Sequence, residues 1–146
     1  MEKKLTNRVL IPVDGSEQAK RALYYAIEFA KQCGTAEIEL LNVQTPAPSF
    51  WPEKLITEDM LQAYYAAEGA KTMQAAERLL REEDVNYRSE VRVGPAAETI
   101  ARYAQEKSVG SIVMGTRGMG AVKGLVLGSV ATGVVHLASV PVTLVK

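Results

Sequence analysis

The chain has 146 residues, 47% of them hydrophobic and 23% charged, enough for one domain with a full core and too few for two ordinary ones. Seventeen basic residues balance seventeen acidic ones, which excludes the charge signature of a nucleic-acid or membrane surface. A single cysteine, Cys33, excludes an internal disulfide.

The opening Met1 to Arg8 has no apolar core of the kind a leader needs, and no later run is long enough to span a bilayer, so the expectation is a cytoplasmic protein. Val9-Leu10-Ile11-Pro12-Val13 is a continuously apolar run, the mark of a parallel strand buried on both faces. Pro12 lacks a ladder donor and should mark the strand's C-terminal end. Asp14-Gly15-Ser16 is turn chemistry, with Ser16 placed to cap a helix from Glu17 to Cys33. Ala19, Leu23, Ala26, Ile27 and Ala30 recur at helical spacing, and Gly34 supplies the stop. Cys33 reads as a small core residue.

Ala36 to Val43 reads as the second strand. Pro46, Pro48 and Pro52 then forbid regular structure from Gln44 to Pro52, a segment that carries Phe50 and Trp51. Those aromatics fit either a contact surface or a loop that folds back on the core. Helical periodicity resumes from Glu58 to Glu83, with Gly69 expected to weaken or break the helix. Val85 to Val93 alternates as an edge strand does, and Gly94-Pro95 opens a third helix ending near Lys107. Ser111 to Met114 is the fourth strand. Ser129 to Ala138 is a small apolar helix, capped by Ser129 and holding the single histidine, His136, as a partly buried structural residue. Val140 to Val145 is the last strand.

This alternation predicts an α/β fold: one doubly wound, five-stranded parallel sheet, helices on both faces, strand order 3-2-1-4-5. Ligands in such sheets sit beyond the carboxyl ends of the strands where the winding reverses, here between strands one and four. Asp14-Gly15-Ser16 and the glycine-rich stretch from Gly115 to Gly128 are the turns that follow those two strands.

That stretch carries the chemistry. A strand, a glycine-rich loop with the cations Arg117 and Lys123, and a helix start make an arrangement that suits phosphate. Glycines let backbone approach an anion, and the helix N-terminus offers free N–H groups and the positive end of its dipole. Neither familiar phosphate loop fits. No lysine precedes Ser129 as a P-loop requires, and Gly118-Met119-Gly120 reaches Gly124 with one residue too many for the dinucleotide fingerprint. A merely flexible loop is the bland alternative, but it has no need of two cations.

The spacing Gly115-x2-Gly118-x9-Gly128-Ser129 resembles the ATP-binding loop of the universal stress protein family. The likeness runs through the whole chain as a single domain, residues 1–146. Val9 to Ser16 is similar to the family's first strand and aspartate, Leu40-Leu41-Asn42-Val43 to its second strand end, and Val93 to Ala96 to its third helix start. The resemblance implies the Rossmann-like fold of the adenine-nucleotide alpha hydrolases and, since all three loop glycines are kept, the ATP-binding branch. It places adenine against Pro12, Val13 and the backbone of Val43. Asp14 would meet the ribose or, with the phosphates, a divalent ion (Mg2+ or Mn2+), although a plain turn residue is an equally good account of it. Gly115, Thr116, Arg117, Gly118, Met119, Gly120 and Ala121 would line ribose and phosphates, and Gly128, Ser129, Val130 and Ala131 would present the helix N-terminus. Asn42 stands where a histidine is frequent in the family.

The expected ligand is therefore ATP, or AMP or ADP, held by a nucleotide-dependent stress-response switch. No residue reads as a catalyst, and at most slow ATP hydrolysis is implied. The resemblance also implies a homodimer through the strand Val140–Val145, with no nucleic-acid or membrane partner. Competing readings of the same sheet are an interaction module using the Gln44–Pro52 segment, or a flavin carrier.

Overall fold

The structure, a computed structural model, describes residues 6–34, 36–46, 55–119, 124 and 126–146. The prolines and aromatics from Pro48 to Pro52, like Gly120, Ala121 and Lys123 of the glycine loop, lie outside these. Nine elements alternate: β1 (Arg8–Pro12), α1 (Glu17–Cys33), β2 (Glu37–Gln44), α2 (Glu58–Glu82), β3 (Tyr87–Val93), α3 (Ala96–Glu106), β4 (Ser111–Gly115), α4 (Ser129–Leu137) and β5 (Val142–Val145). All strand pairs are parallel, in the order β3-β2-β1-β4-β5. The predicted topology is the observed one.

Helices cover both faces because the central strands are apolar on both. Val9, Ile11, Ile38 and Leu40 point to α1 and α2, where Leu23, Ile27, Met73 and Leu80 complete one core. Leu10, Leu41, Ile112 and Met114 point the other way, to Ile100 and Tyr103 of α3 and Ala131 and Val134 of α4. Within α1 the buried residues fall at the helical spacing of one face. Ser16 Oγ accepts from Ala19 N–H at 3.1 Å, and Gly34 ends the helix at φ 77°, in the left-handed region that glycine enters freely. Among the described residues no helix is long and apolar enough to cross a membrane.

Four local expectations change. Gly69 does not break α2, which runs for 25 residues without interruption. A β-carbon at Gly69 would lie 2.5 Å from both γ-carbons of Val91, so the glycine is there to let the helix down onto β3. Ser129 is not a cap: Gly128 occupies that position, with no side-chain hydrogen bond to the helix start. Cys33 is exposed rather than part of the core, because it lies on the solvent side of the last turn of α1. His136 is likewise exposed, since Ala131 and Val134 provide the buried face of α4.

Candidate functional site

β1 ends at Pro12 as its missing N–H requires, and Val13 N–H still reaches Leu41 C=O at 2.8 Å. The chain then turns at Gly15, φ 84°, and enters α1. On the other side of the reversal β4 ends at Gly115, where a β-carbon would lie 2.7 Å from Gln18 Cβ in α1. Thr116 comes next and fixes the base of the loop. Its N–H donates to Val145 C=O at 3.0 Å, and its own C=O accepts from Gly128 N–H at 2.7 Å. One buried residue thus joins β5 to both ends of the glycine loop.

Between these two turns lies a cleft of about 310 Å3, a size suited to a small organic ligand. Pro12, Val13, Asp14 and Val43 line it, and so do Gly115, Arg117, Gly118 and Met119. Gly128, Ser129, Val130 and Ala131 close the side formed by α4. Of the residues expected from sequence, Thr116 stands behind this wall, and Gly120 and Ala121 are outside the described residues. The sequence reading missed Ser16, Ala19, Leu41, Ala96, Ile100 and Met114, which also line the cleft. Leu41 was within reach, two residues before Val43 and so on the same strand face. Ala96 and Ile100 are one helical turn apart, immediately after Gly94-Pro95. Met114 needed the sheet order.

The polar groups of the cleft are few. Among the described residues Asp14 is its one acidic side chain, and both carboxylate oxygens accept backbone hydrogen bonds: Oδ1 from Ser16 N–H at 2.9 Å and Oδ2 from Met119 N–H at 3.0 Å. Gly118 passes so near Asp14 that a β-carbon there would overlap Oδ2. Arg117 has no ion-pair partner among the described residues. The α1 N-terminus is already satisfied by Ser16, whereas α4 and α3 begin at Gly128 and Pro95 without side-chain caps. Both uncapped helix starts border the cleft, leaving N–H donors and the positive dipole ends toward it. The remaining walls are apolar. The arrangement suits a flat apolar group joined to an anionic one.

A divalent ion has little to hold it here. Among the described residues no three His, Cys, Asp or Glu side chains cluster for a metal, so an ion at Asp14 would take its other ligands from the bound molecule. Asn42, on the opposite strand face from Val43, is buried and donates through Nδ2 to Val13 C=O at 2.7 Å. It braces the end of β1 and is no part of the cleft lining.

Fold and site together define a doubly wound parallel α/β protein with a ligand-sized cleft at its topological switch point. The sequence profile of the Universal stress protein family matches residues 6–146, and the chain belongs to that family. It is 32% identical to the universal stress protein YxiE of Bacillus subtilis, over 96% of this chain and 99% of that one. The hypothetical protein MJ0577, a structural-genomics test case, superposes with a TM-score of 0.84 at 28% identity, covering 97% of this chain and 96% of its own. Two more distant structures are complexes. One is a universal stress protein with cAMP, at TM-score 0.67 and 21% identity over 95% of this chain and 96% of that one. The other is the Archaeoglobus fulgidus universal stress protein with dAMP, at 0.66 and 22% over 97% and 99%.

Proposed function

We propose that this protein binds an adenine nucleotide in the cleft between β1 and β4, as a single-domain member of the family's ATP-binding branch. The observation that carries the reading is the uncapped start of α4 at Gly128, opening into a cleft whose opposite wall is apolar. Adenine lies against Pro12, Val13 and Val43, and the phosphates lie along Gly115 to Ala121 and the N–H groups of Ser129, Val130 and Ala131. Arg117 supplies a cation, Ser129 a hydroxyl, and Asp14 meets the ribose or an Mg2+ or Mn2+ ion carried with the phosphates. That proteins of this fold hold cAMP and dAMP supports an adenosine-sized ligand in general terms.

The reading extends to use. The ligand sets the conformation of the glycine loop, so the protein acts as a nucleotide-dependent switch in the cytoplasm rather than as a catalyst. It pairs with a second copy through β5. The two sheet edges differ in the way that choice requires: β3 carries Arg88, Glu90 and Arg92, whereas β5 is Val142-Thr143-Leu144-Val145.

Calorimetric titration with ATP and magnesium tests the site, with Gly118→Val as control. Micromolar binding by the wild type, lost in a folded variant, supports it. No binding by a folded, empty wild type overturns it in favour of an interaction module.

A further inference from the structure

The parallel ladder between β1 and β2 stops halfway through its last residue pair. Pro12 is in register with Leu41, so Val13 stands opposite Asn42. A complete pair there has Val13 N–H on Leu41 C=O and Val43 N–H on Val13 C=O. The first bond is made, at 2.8 Å. The second is not: Asn42 Nδ2 donates to Val13 C=O at 2.7 Å in its place. By the alternation of the strand, the N–H and C=O of Val43 face the β1 side beyond that point, where Val43 lines the cleft.

The amide of Asn42 is held from three directions. Val13 C=O can only accept, which turns Nδ2 toward it, and Gln44 Nε2 donates to Oδ1 at 2.7 Å. Gln44 C=O in turn accepts from Gly94 N–H at 3.0 Å, in the turn that leads into α3. Asn42 is buried, and α2 passes so close that a β-carbon at Gly69 would lie 3.1 Å from Oδ1.

Resting on the nucleotide reading above, we infer that Asn42 is the positioning residue for base recognition: by taking Val13 C=O it reserves Val43 N–H for the edge of the base. The N–H and C=O of one residue match an edge with a ring-nitrogen acceptor next to an amino donor, as adenine has. Asn42 itself touches no ligand. With a hydrocarbon side chain at position 42, the buried Val13 C=O needs another donor, and the one the ladder supplies is Val43 N–H. The pair then closes, and the base loses its donor.

The experiment compares the wild-type protein with Asn42→Leu and with Asn42→Val, the smaller side chain beneath α2. ATP and 1-deaza-ATP, whose base has C–H in place of the N1 acceptor, are titrated calorimetrically. Exchange of the Val43 amide is followed by NMR without ligand. The wild type should bind ATP about tenfold more tightly than 1-deaza-ATP, the order of one hydrogen bond. In both variants the two ligands should agree within about twofold, with 1-deaza-ATP little changed from wild type. The Val43 amide should exchange about tenfold more slowly in the variants, since it is now paired in the ladder. Thermal unfolding shows which variants are folded, and either one suffices.

A folded variant that weakens both ligands equally keeps the tenfold ratio; that result makes Asn42 merely structural and overturns the inference. Unchanged Val43 exchange overturns it too. A wild type that binds both ligands equally well leaves the nucleotide site standing without this reading of the base. If the wild type binds neither, the nucleotide reading fails and the role of Asn42 fails with it.

Discussion

Gly69 of α2 lies directly over Val91 of β3, so close that a single added methyl group would meet both γ-carbons at 2.5 Å and Asn42 Oδ1 at 3.1 Å. The helix therefore sits lower on the sheet than any residue with a side chain would allow. Gly69→Ala should favour the isolated helix by about 1 kcal/mol yet destabilise the protein by roughly 1–3 kcal/mol, because overpacking outweighs propensity. Urea unfolding decides the sign. A more stable variant would mean that α2 can lift off β3 without loss.

Tyr103 forms the second unusual contact. Its hydroxyl donates to Glu39 Oε2 at 2.9 Å, in the core between α3 and the sheet, while Arg92 and Lys107 lie 5.0 and 5.5 Å from its ring centre. Burial, and then the hydrogen bond to Glu39 and its charge, raises the pKa of the phenol well above the ordinary value. A raised folded pKa stabilises the fold fully below the unfolded phenol value of about 10 and loses that contribution as pH rises toward the folded value. Unfolding free energy should therefore decline above about pH 10, with a shallower slope in Tyr103→Phe. At neutral pH the same variant should lose about 1–3 kcal/mol, since Glu39 remains buried without this donor. Parallel pH slopes in the two proteins would refute the assignment.

Ser16 caps α1 where the helix meets the cleft. Ser16→Ala frees the Ala19 N–H and should cost about 1 kcal/mol in urea. Because Ser16 N–H also positions Asp14, its side chain should matter to α1 more than to the turn, and nucleotide affinity should change less than about threefold. A large loss of affinity at unchanged stability would place the hydroxyl in contact with the ligand.

At the β5 edge the carbonyls of Pro141 and Val145 accept from Ile112 and Thr116, so by alternation the peptide groups of Val142 and Leu144 face away from β4. Those outward groups are the ones a second copy would pair with. Thr143→Lys, on an edge that carries no charge, should shift the protein to monomer in light scattering with little loss of stability. A wild-type protein already monomeric at high micromolar concentration would remove the premise. Since Thr116 ties Val145 to the glycine loop, the same titration repeated with ATP reports whether the two are coupled.

Much of this protein was legible in order along the chain. The bounds of α1 followed from apolar spacing, Ser16 and Gly34, and the parallel order of the sheet from the alternation of strands and helices. The place of the cleft followed from two turns whose chemistry is local, Asp14-Gly15-Ser16 and the spaced glycines ending at Gly128, while the residues named for it came from the family resemblance. These features are set by backbone conformation and by side-chain period, which a sequence displays directly.

The tertiary structure decided whatever depends on distance across the fold. Gly69 read as a helix breaker, because the intrinsic cost of glycine is visible in sequence and the methyl groups of Val91, 22 positions away, are not. Ser129 read as a cap, but the hydrogen bond from Gly128 N–H to Thr116 C=O sets the chain direction so that Gly128 takes that place. Nothing local in the sequence pairs Glu39 with Tyr103, whose hydroxyl reaches it across the core. Asp14 reads in sequence as a turn residue or, by the resemblance, as a ligand contact, but its hold on Met119 is not legible there. That hydrogen bond joins positions 105 apart, and only the closing of the sheet brings them together.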